Sequence, residues 1–138
     1  MENLEFMKKF RPNNLCIKEF KYWIVCLREE QSTLGDVVIL LKRETQTVSG
    51  MLPEEGSEFT EVIKWYEKLC IEKFGAIKFN YMIMMMHDAF VHYHAFPRYD
   101  KVVNLFDIEW KDNNTLTNFR TFELLDDELL FKIRDYMK

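Results

Sequence analysis

Histidine occurs only 3 times in the 138 residues, and all three copies fall in one short window: His87, His92 and His94. His92 and His94 lie two apart in a stretch, FVHYHAFPR, that reads as a β-strand ending at a proline. Side chains two apart on a strand point to the same face, so both imidazoles can address one small ligand. Three readings of the pair stand. The rings can be packed groups that satisfy local hydrogen bonds. They can be metal ligands, since imidazole suits zinc, copper or iron. A tight metal site needs further ligands, and only His87 or Asp88 could bend back from the adjoining turn. Or one imidazole can attack phosphorus and form a covalent phosphohistidine, splitting one hard step into two while its neighbour steadies the phosphate oxygens.

A histidine strand needs partners. Residues 77–86 (IKFNYMIMMM) precede it across His87-Asp88-Ala89. A three-residue loop pairs Met86 with Phe90, Met84 with His92, Met82 with His94 and Asn80 with Phe96. That register puts Asn80 on the histidine face, whereas a two-residue loop puts Tyr81 there. The first keeps the lone Asn beside the other polar groups. Upstream, residues 20–28 (FKYWIVCLR) and Val37–Leu41 (VVILL) flank a polar connection ending in Gly35, which predicts an antiparallel hairpin. The second run is apolar throughout, so both of its faces should be covered. Between the two hairpins, Pro53 or Ser57 opens a helix whose stripe is Phe59, Val62, Ile63, Tyr66, Leu69, Cys70 and Phe74, with Gly75 just past its end. Residues 105–110 (LFDIEW) read as a weaker fifth strand, 111–114 and 11–14 as turns, and 126–136 as a helix with Leu129, Leu130, Ile133 and Tyr136 on one side. The expected fold is α+β: an antiparallel sheet of about five strands with two helices on one face, in a single domain over residues 1–138.

Composition excludes several classes. Lys and Arg total 19 against 23 Asp and Glu, a formal charge of −4 with the signs interspersed, so broad nucleic-acid binding is not expected. No apolar run approaches the roughly 20 residues of a membrane span, and the opening MENLEFMKKF lacks a signal peptide's apolar stretch. Cys16, Cys26 and Cys70 are odd in number and spread out, which reads as free thiols in a reducing, cytoplasmic setting. No cofactor fingerprint is present.

The stretch Phe90-Val91-His92-Tyr93-His94-Ala95-Phe96-Pro97-Arg98 resembles the signature of the histidine triad superfamily of nucleotide hydrolases and transferases, in which three histidines alternate with apolar residues and a Pro-Arg pair often follows. Leu34-Gly35-Asp36-Val37-Val38 with Lys42-Arg43-Glu44 resembles that family's hairpin, and Met51-Leu52-Pro53-Glu54-Glu55 the opening of its long helix. Asn80-Tyr81 before the Met-rich run and its short turn resembles a branch of bacterial members with a compact hairpin, and the family resemblance as a whole is to the diadenosine polyphosphate hydrolase-like branch. The likeness covers about residues 17–100.

What the resemblance implies is a homodimeric hydrolase or nucleotidyl transferase. It would act on dinucleoside polyphosphates or nucleoside phosphoramidates without a cofactor or resident metal. His92 takes the nucleophile's place and His94 that of the phosphate contact. Asn80, Arg98 and His87 are candidate phosphate or nucleotide contacts. An Arg after a strand-ending Pro is more often a solvated or interface residue, which is the competing reading of Arg98, and Lys42 and Arg43 read as solvated. The methionines read as adaptable core or interface packing and Trp23, Trp65 and Trp110 as core, Trp110 alone having the alternative of a place beside the base or in a dimer contact. One departure stands out: the first triad position holds Phe90. The alternative it raises is a catalytically silent nucleotide-binding module on the same fold.

Overall fold

The computed structural model describes residues 7–113 and 125–138. Its centre is a five-stranded antiparallel sheet of β1 (Cys16–Glu19), β2 (Trp23–Leu27), β3 (Val37–Leu41), β4 (Lys78–Met82) and β5 (His92–Arg98), in the order β1-β2-β3-β5-β4. Helices are the single turn α1 (Pro12–Leu15), the long α2 (Pro53–Phe74) and α3 (Asp127–Met137). The α+β class and the five-strand count agree with expectation; the fifth strand is not the expected one. It is β1, a four-residue segment of mixed polarity that the alternation did not reveal. Residues 105–110 instead belong to a separate hairpin of β6 (Val103–Leu105) and β7 (Ile108–Trp110). Its turn residues Phe106 and Asp107 both have positive φ, 55° and 60°, as a type I′ turn requires. Where a turn is expected over residues 11–14, Pro12–Leu15 close one turn of helix.

Both hairpins of the sheet form as read. Trp23 faces Leu41 and Leu27 faces Val37 across β2 and β3, and every residue of both strands is buried. The preferred register of the second hairpin also holds: Asn80 is opposite Phe96 and Met82 opposite His94. Its loop is a different matter. The ladder stops at Met82, and residues 83–91 run outside it, with Met85 at φ 52°. A residue in the left-handed region cannot continue a strand, so a three-residue turn does not form.

Helix α2 covers the face of the sheet that carries Trp23 and Tyr93. Its Phe59 ring lies 4.8 Å from Trp23 and 4.5 Å from Tyr93, and the Tyr66 hydroxyl donates to the Gly35 carbonyl oxygen at 2.7 Å. Trp23 and Tyr66 are fully buried, and each large apolar side chain so placed stabilises the fold by about 1.5–3 kcal/mol. Gly35 has φ 95°, and a Cβ there would lie 3.1 Å from the Phe74 ring, so both backbone and space call for glycine. Glu55, 1% exposed, accepts from the Leu52 N–H at 2.7 Å and from Arg43 at 2.8 and 3.0 Å. Arg43 is therefore not the solvated side chain expected; it pins the helix start to the end of β3. Lys42 likewise pairs with Glu19 at 2.8 Å.

The cysteines are free, as expected, but not dispersed: Cys16 and Cys26 are register partners across β1 and β2. Among the described residues, no helix is long and apolar enough to cross a membrane.

Candidate active site

Strand β5 sits between β3 and β4, and alternation divides its side chains. Tyr93 and Ala95 turn toward α2; His92, His94, Phe96 and Arg98 take the opposite face. His92 lies opposite Leu40, and His94 is flanked by Val38 and Met82. The two imidazole centroids are 5.2 Å apart with planes at 79°, so the rings converge edge to face.

One hydrogen bond sets the chemistry of His92. Its Nδ1 lies 2.7 Å from the Phe90 carbonyl oxygen. A carbonyl oxygen only accepts, so Nδ1 carries the proton and the lone pair of the neutral ring is on Nε2. Burial pushes the His92 pKa below its ordinary value, against an opposing contribution from that hydrogen bond. Burial pushes His94 down further, to about 3, helped by the Arg28 guanidinium and His92. Both rings are neutral at pH 7. The His94 Nδ1 is buried and makes no hydrogen bond, which leaves it a polar atom in want of a partner.

A cavity of about 180 Å³ opens beside His94. Phe10 and Leu27 give it apolar walls; Lys9 and Arg28 bring positive charge, and Glu29 and Glu30 bring carboxylates. Arg28 lies 4.9 Å over the Phe96 ring, and its Nη1 is 3.7 Å from the Asp36 carboxylate without hydrogen bonding to it. Asp36 is fully buried and accepts from the Ser32 and Thr33 N–H groups at 2.6 and 3.1 Å and from the Thr33 hydroxyl at 2.6 Å. Burial still pushes its pKa up to about 7. Lys9 pairs with Asp88, and the Phe10 ring lies 5.8 Å from His92 and 6.4 Å from His94.

The remaining site candidates are placed elsewhere. Asn80 shares the histidine face, but its Oδ1 accepts from Arg98 Nη1 at 2.9 Å. Arg98 is 7% exposed and forks onto Asp112 at 2.7 and 2.8 Å, so it is not a solvated residue. This chain of contacts fastens β4 and β5 to the segment after β7. His87 is exposed on the 83–91 loop, outside the cavity lining. Trp110 is half-buried, and its indole N–H donates to the Leu105 carbonyl oxygen within its own hairpin. Lys9, Phe10, Arg28, Glu29 and Glu30 escaped the sequence reading. The last three directly follow β2, which β3 separates from the histidine strand, so no local signal marked them.

Solved structures with the same architecture include histidine triad proteins. One from Sinorhizobium meliloti superposes with a TM-score of 0.72 at 13% identity, covering 94% of this chain and 91% of that one. A hypothetical histidine triad nucleotide-binding protein from Sulfolobus tokodaii gives 0.66 at 15%, covering 96% and 91%. A HIT family protein from Bacillus anthracis gives 0.58 at 22%, covering 72% and 76%. The chain has the histidine triad fold. No family model matches the sequence, and no curated protein does either. On this histidine triad fold the residue at the first motif position, Phe90, gives its carbonyl oxygen to His92. That contribution comes from the backbone and does not depend on which side chain stands there.

Proposed function

We propose that the protein is a nucleotide hydrolase or nucleotidyl transferase that works at a nucleotide α-phosphate through a covalent intermediate on His92. The observation that carries this reading is the Nδ1–Phe90 hydrogen bond, which directs the Nε2 lone pair of a neutral imidazole toward bond-making. Nε2 attacks phosphorus in line; the P–N bond forms as the bond to the leaving group breaks, and the leaving group departs with the electron pair. Water then attacks the same phosphorus, the P–N bond breaks, and a nucleoside monophosphate leaves with the imidazole restored. His94 donates its one N–H to a non-bridging oxygen, and a bound phosphate's charge raises its pKa toward that role. The lining beside His94 suits a nucleoside end in chemistry: Phe10 and Leu27 a base, and the carboxylates of Glu29 and Glu30 sugar hydroxyls. Asn80 and Arg98 hold the strands that frame the site.

The test compares wild type with His92→Ala on diadenosine tetraphosphate and adenosine phosphoramidate. Turnover in wild type and none in the variant supports the enzyme. A second reading, a silent nucleotide-binding module, is favoured by the 5% exposure of His92; it requires AMP binding without turnover in either protein.

We also propose a homodimer through the outer edge of β4. Ile77, Met84 and Met86 expose 61, 60 and 76% of their surface along or just beyond that edge, which a second copy would cover. Sedimentation of wild type and Met86→Lys checks this: a dimer that the lysine weakens.

A further inference from the structure

The segment before β1 crosses the histidine face, where its residues touch the proposed catalytic pair. Phe10 lies against both imidazoles, and His92 is only 5% exposed beneath it. The cavity beside His94, about 180 Å³, falls below the ~300 Å³ at which sites for drug-sized ligands begin. With Phe10 where it stands, His92 offers little surface to a nucleotide. The segment is seated in the core at either end by buried Met7 and Leu15, and Phe10 packs against that core between them. Residues Lys8–Phe10 form a single 3-10 turn, Arg11 follows at φ 52°, and Pro12 starts α1. Between those buried ends, Lys9 and Arg11 are held by ion pairs: Lys9 to Asp88 on the 83–91 loop, and Arg11 to Glu29 at 3.2 Å and Asp127 at 2.9 and 3.0 Å. Partly exposed ion pairs are weak and screened by salt, so such a segment opens cheaply. Lys9 also lines the cavity that His94 lines. Its ammonium, paired with Asp88 and at the cavity, is placed to trade one anionic partner for another.

We propose that Lys9 and Phe10 form a clasp over the imidazole pair, which a phosphate-bearing ligand opens by drawing Lys9 away from Asp88 and keeping it as a phosphate contact. The proposal rests on the site reading above for its ligand class, but its first observable does not. With the clasp closed, Phe10 shields His92. With a polyphosphate bound, Lys9 moves onto the phosphate, and Phe10 swings off the rings to wall the enlarged cavity. Asp88 is then the competitor that keeps the empty site shut.

Carbethoxylation with diethyl pyrocarbonate, resolved by peptide mass spectrometry, measures the cover directly. Exposed His87 is the internal reference. His92 should react on the order of tenfold faster relative to His87 in Phe10→Ala, and severalfold faster in wild type on going from low to high salt. The salt arm needs no variant, so loss of folding in Phe10→Ala cannot leave the matter open. Calorimetric titration with AMP and with inorganic pyrophosphate tests the exchange. Lys9→Met should weaken binding by roughly tenfold, whereas Asp88→Asn should strengthen it severalfold, because one removes the phosphate contact and the other its competitor. Were the pair merely structural, both variants would shift binding in the same direction, and the exchange would be overturned. Equal His92 reactivity in all proteins and at both salt concentrations would overturn the clasp even if wild type turns over nucleotides. Variant-dependent reactivity without any turnover would uphold the clasp and remove the catalytic reading.

Discussion

Lowering the pH should unfold this protein in a way that His94 controls. The ordinary histidine pKa is about 6.5, and in the folded chain burial, Arg28 and His92 push that of His94 to about 3. Between these values the unfolded chain binds a proton at this position that the folded chain refuses. The stability contributed by the neutral ring is complete above pH 6.5 and is lost as pH falls toward 3, at up to ~1.4 kcal/mol per pH unit. Asp36 acts in the opposite sense over part of the window. Its folded pKa is raised to about 7, so its contribution is complete below the ordinary carboxylate range and is lost as pH rises through 7. The raw profile therefore mixes the two, and the difference between wild type and His94→Gln isolates the histidine. With an unfolding entropy of roughly 2.1 cal/mol/K per residue over 138 residues, one pH unit is worth about 5 °C in Tm. Two units, from pH 6.5 to 4.5, should lower the wild-type Tm by up to about 9 °C more than that of the glutamine variant. Thermal unfolding followed by circular dichroism at half-unit steps is the assay. Parallel profiles for the two proteins would refute the claim that His94 is held neutral by its surroundings.

Other expectations follow from the same contacts. Asp112→Ala strips a buried guanidinium of its fork and leaves the Tyr99 N–H without its acceptor, which should cost about 3–5 kcal/mol in urea unfolding; a loss under 1 kcal/mol would mean the pair contributes little. Phe90→Ala keeps the carbonyl that orients His92, so turnover should fall by less than about tenfold, while His92→Ala should lose at least ~10³-fold; equal losses would show that the phenylalanine ring matters as much as the nucleophile. Gly35→Ala should destabilise by more than ~1 kcal/mol in thermal unfolding, since φ 95° and the nearby Phe74 ring both oppose a Cβ.

The reading of β5 from sequence alone succeeded because a period of two and a scarcity of histidine left few choices, and the Asn80–Phe96 register followed from keeping polar residues together. The length of the hairpin loop was not legible: nothing in MIMMM announces that Met85 turns left-handed and ends the ladder early. Strand β1 is four residues of mixed polarity, too short for alternation to stand out, and it exists because β2 offers it an edge. Arg98 looked like a surface residue because its partner, Asp112, lies beyond an intervening hairpin, and local sequence carries no sign of a contact across it. The same limit hid the cavity. Phe10 reaches His92 and His94 from the opposite end of the described chain, through packing and ion pairs that no motif encodes.

The nucleophile itself is the most exposed point of the account. Wild-type protein mixed with an adenylated substrate such as adenosine phosphoramidate, quenched in alkali within its first turnovers and digested, should yield an adenylyl group on the peptide bearing His92, and none in His92→Ala. Turnover without that adduct, or an adduct carried by another residue, would contradict it.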